Sequence, residues 1–340
     1  MKKKTRNIII ITVAAAAAVC TAVGIAAWLS IGANAVISDR TVLIPTGADY
    51  AELTDSIRGG VIDTKRFDRM ARMLSLPESV RPGRYTMREG MSYLELARMF
   101  RNGLQTPVRL TFNNIRTLPQ LAGRLAQQVE ADSLTLAAHL TASETASWYG
   151  FEPQDFIGMF IPNTYEVWWT ISPEALTDRM KREYDRFWNA DRMKLLEATG
   201  LSQAEAVTLA SIVYEETKMS DEMPTVAGVY MNRLRTGMPL QADPTVKFAV
   251  GDFTIKRVLN RHLEVDSPYN TYKHAGLPPG PICMPSVKAI DAVLNYGKHK
   301  YLYFCARPDF SGYHNFTTTL VQHNKNAREY YKALNEAGIR

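Results

Sequence analysis

Cysteine is scarce in this 340-residue chain, which has only Cys20, Cys283 and Cys305. Cys20 lies within an apolar stretch, while Cys283 and Cys305 stand beside apolar or aromatic neighbours (Ile282, Met284, Phe304). They read as buried thiols rather than as a disulfide framework, although Cys283 and Cys305 could pair if exported. No CxxC pair and no HExxH occurs, so the usual zinc spacings are missing and no metal is expected. Low-complexity tracts and strict repeats are absent as well, which excludes collagen-like and array architectures. Excess charge is small. Forty Lys and Arg against 34 Asp and Glu leave +6, part of it in the first few residues, and say little about partners. With 46% apolar and 22% charged residues, the chain should fold as an ordinary globular protein of two or three domains.

One long uncharged run stands out. Residues 8–31, IIIITVAAAAAVCTAVGIAAWLSI, have about the length that crosses a bilayer as a helix. Lys2, Lys3, Lys4 and Arg6 precede it, and no acid occurs before Asp39. This asymmetry predicts a short cytoplasmic tail, residues 1–7, with the remaining chain outside the cytoplasmic membrane. Ala33-Asn34-Ala35 resembles a signal-peptidase site, but the run exceeds the roughly 7–15 apolar residues of a cleaved signal. A retained single-pass anchor in the cell inner membrane is therefore expected, with the bulk of the chain facing the periplasm or the outside. Nucleic acid is not a partner there.

The exported part reads as α+β. Thr41–Ile44 and Arg84–Met87 look like short strands. Each is followed by a turn, a helical pattern (Leu53 and Ile57; Leu94, Leu96, Ala97 and Phe100) and a glycine stop at Gly59-Gly60 or Gly103. Small modules are expected over 39–107, then a connecting α+β subdomain over 108–195. That subdomain contains the strand Val108–Thr111, helices at 118–129 and 134–140, and a polar helix at 174–188. Dense short motifs begin at Leu201, so a catalytic α+β domain is placed at 196–340.

The chemistry concentrates on one predicted helix. Ser202 and Glu205 form a capping-box signature, and Ala206, Leu209, Ala210 and Val213 recur at i, i+3, i+4 and i+7. On that wheel Glu215 points away from the apolar stripe and should be solvated, whereas Glu216 falls beside Leu209 at its edge. Partial desolvation raises a carboxyl pKa, and a carboxylic acid still neutral near pH 7 can protonate a glycosidic oxygen. The plainer alternative is a helix-surface acid paired with a lysine, since most edge acids are structural. Downstream, Ser220 or Asp221 is a candidate N-cap, and Val226, Val229, Tyr230 and Leu234 form an apolar face ended by Gly237. Asn232, Arg233, Gln241 and Asp243 are candidate polar site groups. Loops rich in Tyr, Pro and Gly follow, holding Tyr269, Asn270 and Tyr272. Such loops suit sugars, with rings stacking on aromatic faces and amides or carboxylates bonding hydroxyls.

Several segments together resemble the endolytic murein transglycosylases, the MltG (YceG-like) family. They are LASIVYEET (209–217), VYMNRL (229–234), LQADPTVKFAVG (240–251), SPYNTY (267–272), GLPPGPICMPS (276–286), YLYF (301–304) and HNFTTTLVQHN (314–324). Fainter likenesses are FIPNTYEV (160–167) and GRYTMREGMSYLELARMFRNG (83–103), the second resembling a LysM-like membrane-proximal module. Where the family usually has two acids around a lysine, this chain has Tyr214-Glu215-Glu216, so the family's catalytic glutamate maps to Glu216. Asn113-Asn114 also departs from the family's Glu-Gly.

The resemblance implies a lyase cutting the MurNAc–GlcNAc bond within nascent glycan strands and leaving 1,6-anhydro-MurNAc ends. Glu216 would be the single acid/base, with Asn232, Gln241, Asp243, Tyr269, Asn270 and Tyr272 binding substrate. No cofactor is implied; peptidoglycan glycan is the partner, and cell-wall synthases are candidate partners. Two rivals remain at this stage. One is a muramidase with Asp243 activating water; the other is a non-catalytic wall-binding scaffold.

Overall fold

The computed structural model describes residues 2–255 and 257–338, without the side chains of residues 2–7, 9, 23 and 25–31. The chain forms two compact units. The smaller comprises the chain up to Arg109 with Gln128–Glu130 and Glu166–Ile171; the larger comprises Leu110–Gln127, Ala131–Tyr165 and the rest from Ser172.

The smaller unit begins with helix α1 (Lys2–Ile31), continuous over the uncharged run. The expected span therefore lies partly outside the described side chains, and among the described residues no helix is long and apolar enough to cross a membrane. Next come β1 (Arg40–Ile44), α2 (Tyr50–Ile57), α3 (Thr64–Met73), β2 (Gly83–Met87) and α4 (Tyr93–Asn102). The two predicted strands pair with each other, antiparallel, from Arg40↔Met87 to Ile44↔Gly83. The two strand–turn–helix stretches thus build one module rather than two. Strand alternation puts Val42 and Ile44 beside Tyr85 and Met87 in a core completed by Leu53, Phe67 and Phe100. Capping boxes at Asp49/Glu52 and Ser92/Glu95 start α2 and α4, and Gly103, left-handed at φ 66°, stops α4.

In chain order, the larger unit draws on β3 (Val108–Phe112), α5 (Leu118–Ala126), α6 (Ser133–Thr141), α7 (Ser143–Trp148) and β4 (Asn163–Val167). Then follow α8 (Pro173–Phe187), α9 (Ala190–Thr199), α10 (Gln203–Glu216), α11 (Met223–Arg235), α12 (Asp243–Val250) and α13 (Asn260–Leu263). Last come α14 (Val287–Leu294), β5 (Tyr303–Ala306), β6 (His314–Thr317) and α15 (Leu320–Glu336). Sheets are small: β3 pairs with β4 and β5 with β6, each pair alone. The expected subdomain at 108–195 and the expected domain at 196–340 fall largely together in this unit.

Helix α10 is its axis. The predicted capping box is present, with Ser202 Oγ accepting from Glu205 N–H and Glu205 accepting from Ser202 N–H. Every residue from Ala206 to Val213 is buried, and α11, α12 and α14 pack around it. The one-faced pattern expected from sequence is therefore replaced by burial on all sides. Small side chains make this possible: Thr208 and Ser211 are 2% and 0% exposed, and Ser211 Oγ accepts the backbone N–H of Ile282. The three cysteines are free, with Cys283 buried on α10 against Ser211. The N-cap of α11 is Glu222 rather than Ser220 or Asp221, and Pro224 lies in its first turn.

Candidate active site

Glu216 is the last residue of α10. Helix α11 brings Tyr230 to it, and the buried phenol donates to Glu216 Oε1 at 2.6 Å. Burial lifts the Glu216 carboxyl to about 7; the Tyr230 hydrogen bond opposes this, the Asp243 carboxylate adds to it, and Arg233 and Lys247 oppose it. The carbonyl end of α10 adds a further bias against negative charge. Tyr230 holds one oxygen, which leaves the other to carry a transferable proton. Because that hydrogen bond favours the ionised form, Tyr230→Phe should move the acid's titration to higher pH. The alkaline limb of any activity depending on protonated Glu216 then shifts up by about one unit in a pH–rate profile. A limb that stays in place, or moves down, would show that Tyr230 does not act on the proton of Glu216.

Glu216 opens on a cavity of about 370 Å³. Its lining includes Glu216, Tyr230, Arg233, Gln241, Asp243 and Tyr272, together with Tyr303, His314 and His323 from β5, β6 and α15. Tyr230 and Arg233 are three apart on α11, hence on one face. Arg233 is buried, donating to the carbonyls of Leu302 and Leu240, so its charge is fixed beside the cavity. Asp243 is the first residue of α12, and Tyr272 donates its phenol proton to Asp243 Oδ1 at 2.6 Å. Gln241 is left-handed at φ 48°, a strained conformation for a non-glycine residue. It is held because its N–H donates to Thr271 O and the next N–H, of Ala242, donates to Thr271 Oγ1.

The cavity thus collects Glu216, Gln241, Asp243 and Tyr272 from the residues expected by sequence. It does not collect Asn232, Tyr269 or Asn270, and the physical reason is that each is committed elsewhere. Asn232 donates to the carbonyls of His299 and Tyr301. Asn270, fully buried, donates to those of Leu263 and Val265 and accepts from Tyr272 N–H. Tyr269 packs its ring against Phe248 at 4.7 Å. Arg233, a candidate from sequence, lines the cavity as well, and Tyr230, Tyr303, His314 and His323 are lining residues that sequence reasoning did not single out for the site. For Tyr230 the available signal is its three-residue spacing from Arg233 on α11.

Glu215 corrects the wheel argument. Its side chain is 17% exposed and pairs with Arg116 at 3.0 Å, with Lys218 farther off at 3.8 Å. Because α10 is enclosed on all sides, the position opposite the apolar stripe meets protein rather than water. Arg116 also lies over the Phe253 ring at 4.7 Å.

Fold and cavity define an α+β protein that presents one proton-bearing carboxyl at the end of a buried helix. The chain belongs to the YceG-like family, whose model matches residues 42–329. A relative from Bacillus subtilis (strain 168), named endolytic murein transglycosylase, is 43% identical over 136 residues, 40% of this chain and 37% of that one. One of the same name from Streptococcus pneumoniae (strain D39) is 26% identical over 302 residues, 78% of this chain and 54% of that one. The matches thus span about half or less of those relatives' length. A crystal structure of a yceG-like protein from Listeria monocytogenes is 26% identical, with a TM-score of 0.59 over 85% of this chain and 98% of that one.

Proposed function

We propose that the chain is an endolytic murein transglycosylase, a carbon–oxygen lyase that cuts peptidoglycan glycan strands from within. The observation that carries this reading is Glu216: a carboxyl held near a pKa of about 7 on the wall of a polar cavity. The relatives' names supply the substrate class.

The reaction follows from that carboxyl. Protonated Glu216 gives its proton to the oxygen joining N-acetylmuramic acid to N-acetylglucosamine, and the C1–O bond breaks with oxocarbenium character at C1. Asp243, held by Tyr272, turns its carboxylate toward the developing cation. Glu216, now ionised, takes the proton of the muramyl 6-hydroxyl as that oxygen closes onto C1. The nucleophile belongs to the substrate, so its high effective molarity replaces a positioned water and no second base is needed. Gln241 and Arg233 orient the sugar. Digestion of uncrosslinked glycan in ¹⁸O-water tests the chemistry. Products should end in 1,6-anhydro-N-acetylmuramic acid without label, whereas labelled reducing ends would replace this reading by hydrolysis with Asp243 activating water.

Residues 8–31 are proposed as a retained anchor in the cytoplasmic membrane, oriented by the lysines before it, with the catalytic unit outside. Protease added from outside should then degrade the chain beyond about residue 40 and leave the anchor with the membrane. A mature soluble protein starting near Val36 would defeat the anchor. The β1–α2–α3–β2 order supports reading the smaller unit as a LysM-like module, serving as a glycan contact or as a spacer near the bilayer. Cell-wall synthases are proposed partners.

A further inference from the structure

Glu222 is buried, 6% exposed, at the start of α11. Its carboxylate collects three donors. Oε1 accepts the backbone N–H of His314 at 2.8 Å, while Oε2 takes His314 Nδ1 at 2.7 Å and Thr217 Oγ1 at 3.2 Å. Thr217 directly follows Glu216, so the same carboxylate that holds His314 also holds the end of α10. A carboxylate at Nδ1 keeps a proton there, fixes the ring and leaves Nε2 as an acceptor.

His314 lines the cavity that Glu216 opens on. Its ring stands edge-on to Phe304 at 5.3 Å, and Phe304 stands edge-on to Tyr230 at 5.8 Å, the phenol that donates to Glu216. Among the described residues the side-chain hydrogen bond of His314 is made through Nδ1 alone. His299 in the same unit shows the contrasting case of a histidine used as a strut. There Nε2 meets Thr225 O and Nδ1 accepts from Tyr301 N–H, so both nitrogens are committed to the backbone. A buried carboxylate that spends two of its three contacts on one residue, and leaves that residue's far nitrogen open in the reaction cavity, is arranged as a positioned ligand.

We propose that His314 is a further substrate-contacting residue: its Nε2 accepts a hydrogen bond from a hydroxyl of the N-acetylated sugar seated against Glu216. Glu222 is the positioning residue behind it. This rests on the glycan-cleaving reading above.

His314→Asn separates the two ring nitrogens, because the amide can still donate to Glu222 while nothing replaces Nε2. With the full chain in detergent micelles and uncrosslinked glycan as substrate, kcat/KM should fall about tenfold to a hundredfold while the melting midpoint stays within about 3 °C. Wild-type turnover in that variant would overturn the proposal. If the variant does not fold, the intact imidazole answers instead. In Glu216→Gln protein carrying ¹⁵N-histidine, the His314 Nε2 signal should move when glycan binds, and a signal unmoved at saturating glycan overturns the contact. The wild-type control keeps two failures apart. No cleavage by wild type defeats the functional reading and the His314 contact with it; equal cleavage by wild type and variant defeats only the contact.

Discussion

Glu216→Gln is expected to lower glycan cleavage by about a thousandfold or more, because the amide keeps the shape and loses the proton that the proposed mechanism shuttles. The same substitution carries a second, oppositely signed effect on stability. Folding raises the Glu216 pKa to about 7, so the folded state favours the neutral form. The group therefore costs nothing below its unfolded value near 4.5. Its charging then weakens the fold progressively as pH rises from there through about 7. Removing the charge should make the variant more stable than wild type at pH 8 by about 1–3 kcal/mol and equal to it at pH 4. Thermal melts at the two pH values read the difference directly. Full activity, or a stability gap of the reverse sign, would remove Glu216 from its assigned role. Glu215→Gln should behave otherwise. It weakens the pair with Arg116, costing about 1–3 kcal/mol, while cleavage by the folded protein largely survives.

Gly228→Ala should be the most damaging single methyl group in the larger unit. Alanine is the better helix former by about 1 kcal/mol, so propensity alone predicts stabilisation within α11. Space decides the opposite. A Cβ at position 228 would lie 2.2 Å from the Gly297 carbonyl oxygen and 2.6 Å from His299 Nε2. Neither obstacle yields easily, because Gly297 N–H is tied to Pro224 O at 2.7 Å and His299 to Thr225 O. Overpacking against fixed backbone should cost about 3 kcal/mol gross, hence about 2 kcal/mol net. The displaced segment runs into β5, which lines the cavity, so kcat/KM should fall with stability. An unchanged melting midpoint would mean that the 297–301 segment gives way freely.

The strands and glycine stop of the smaller unit, and the capping box of α10, are legible in the sequence because they depend on local rules. The desolvation of Glu216 is legible because the wheel puts it at the edge of an apolar stripe. Other features depend on partners far away in the chain. Tyr230 occupies an apolar helical face and so looks like core; only its hydroxyl's contact with Glu216, made across two helices, reveals its place. Asn232 and Asn270 have the chemistry of sugar ligands, and a sequence does not distinguish an amide facing a cavity from one tethering backbone carbonyls. Glu215 was misplaced because Thr208 and Ser211 count as polar on a wheel, yet are small enough to be enclosed.

Part of the cavity lining comes from β5, β6 and α15, after Glu216, Tyr230 and Asp243 have already been made. Order of synthesis therefore separates the acid from the residues that complete its cavity. A nascent chain stalled before Tyr303 would hold the acid, its phenol partner and the neighbouring carboxylate, but not the lining from Tyr303, His314 and His323. Were the chain to cut glycan as proposed, translation itself would act as a safety catch: fragments would carry the acid without the residues that complete its cavity.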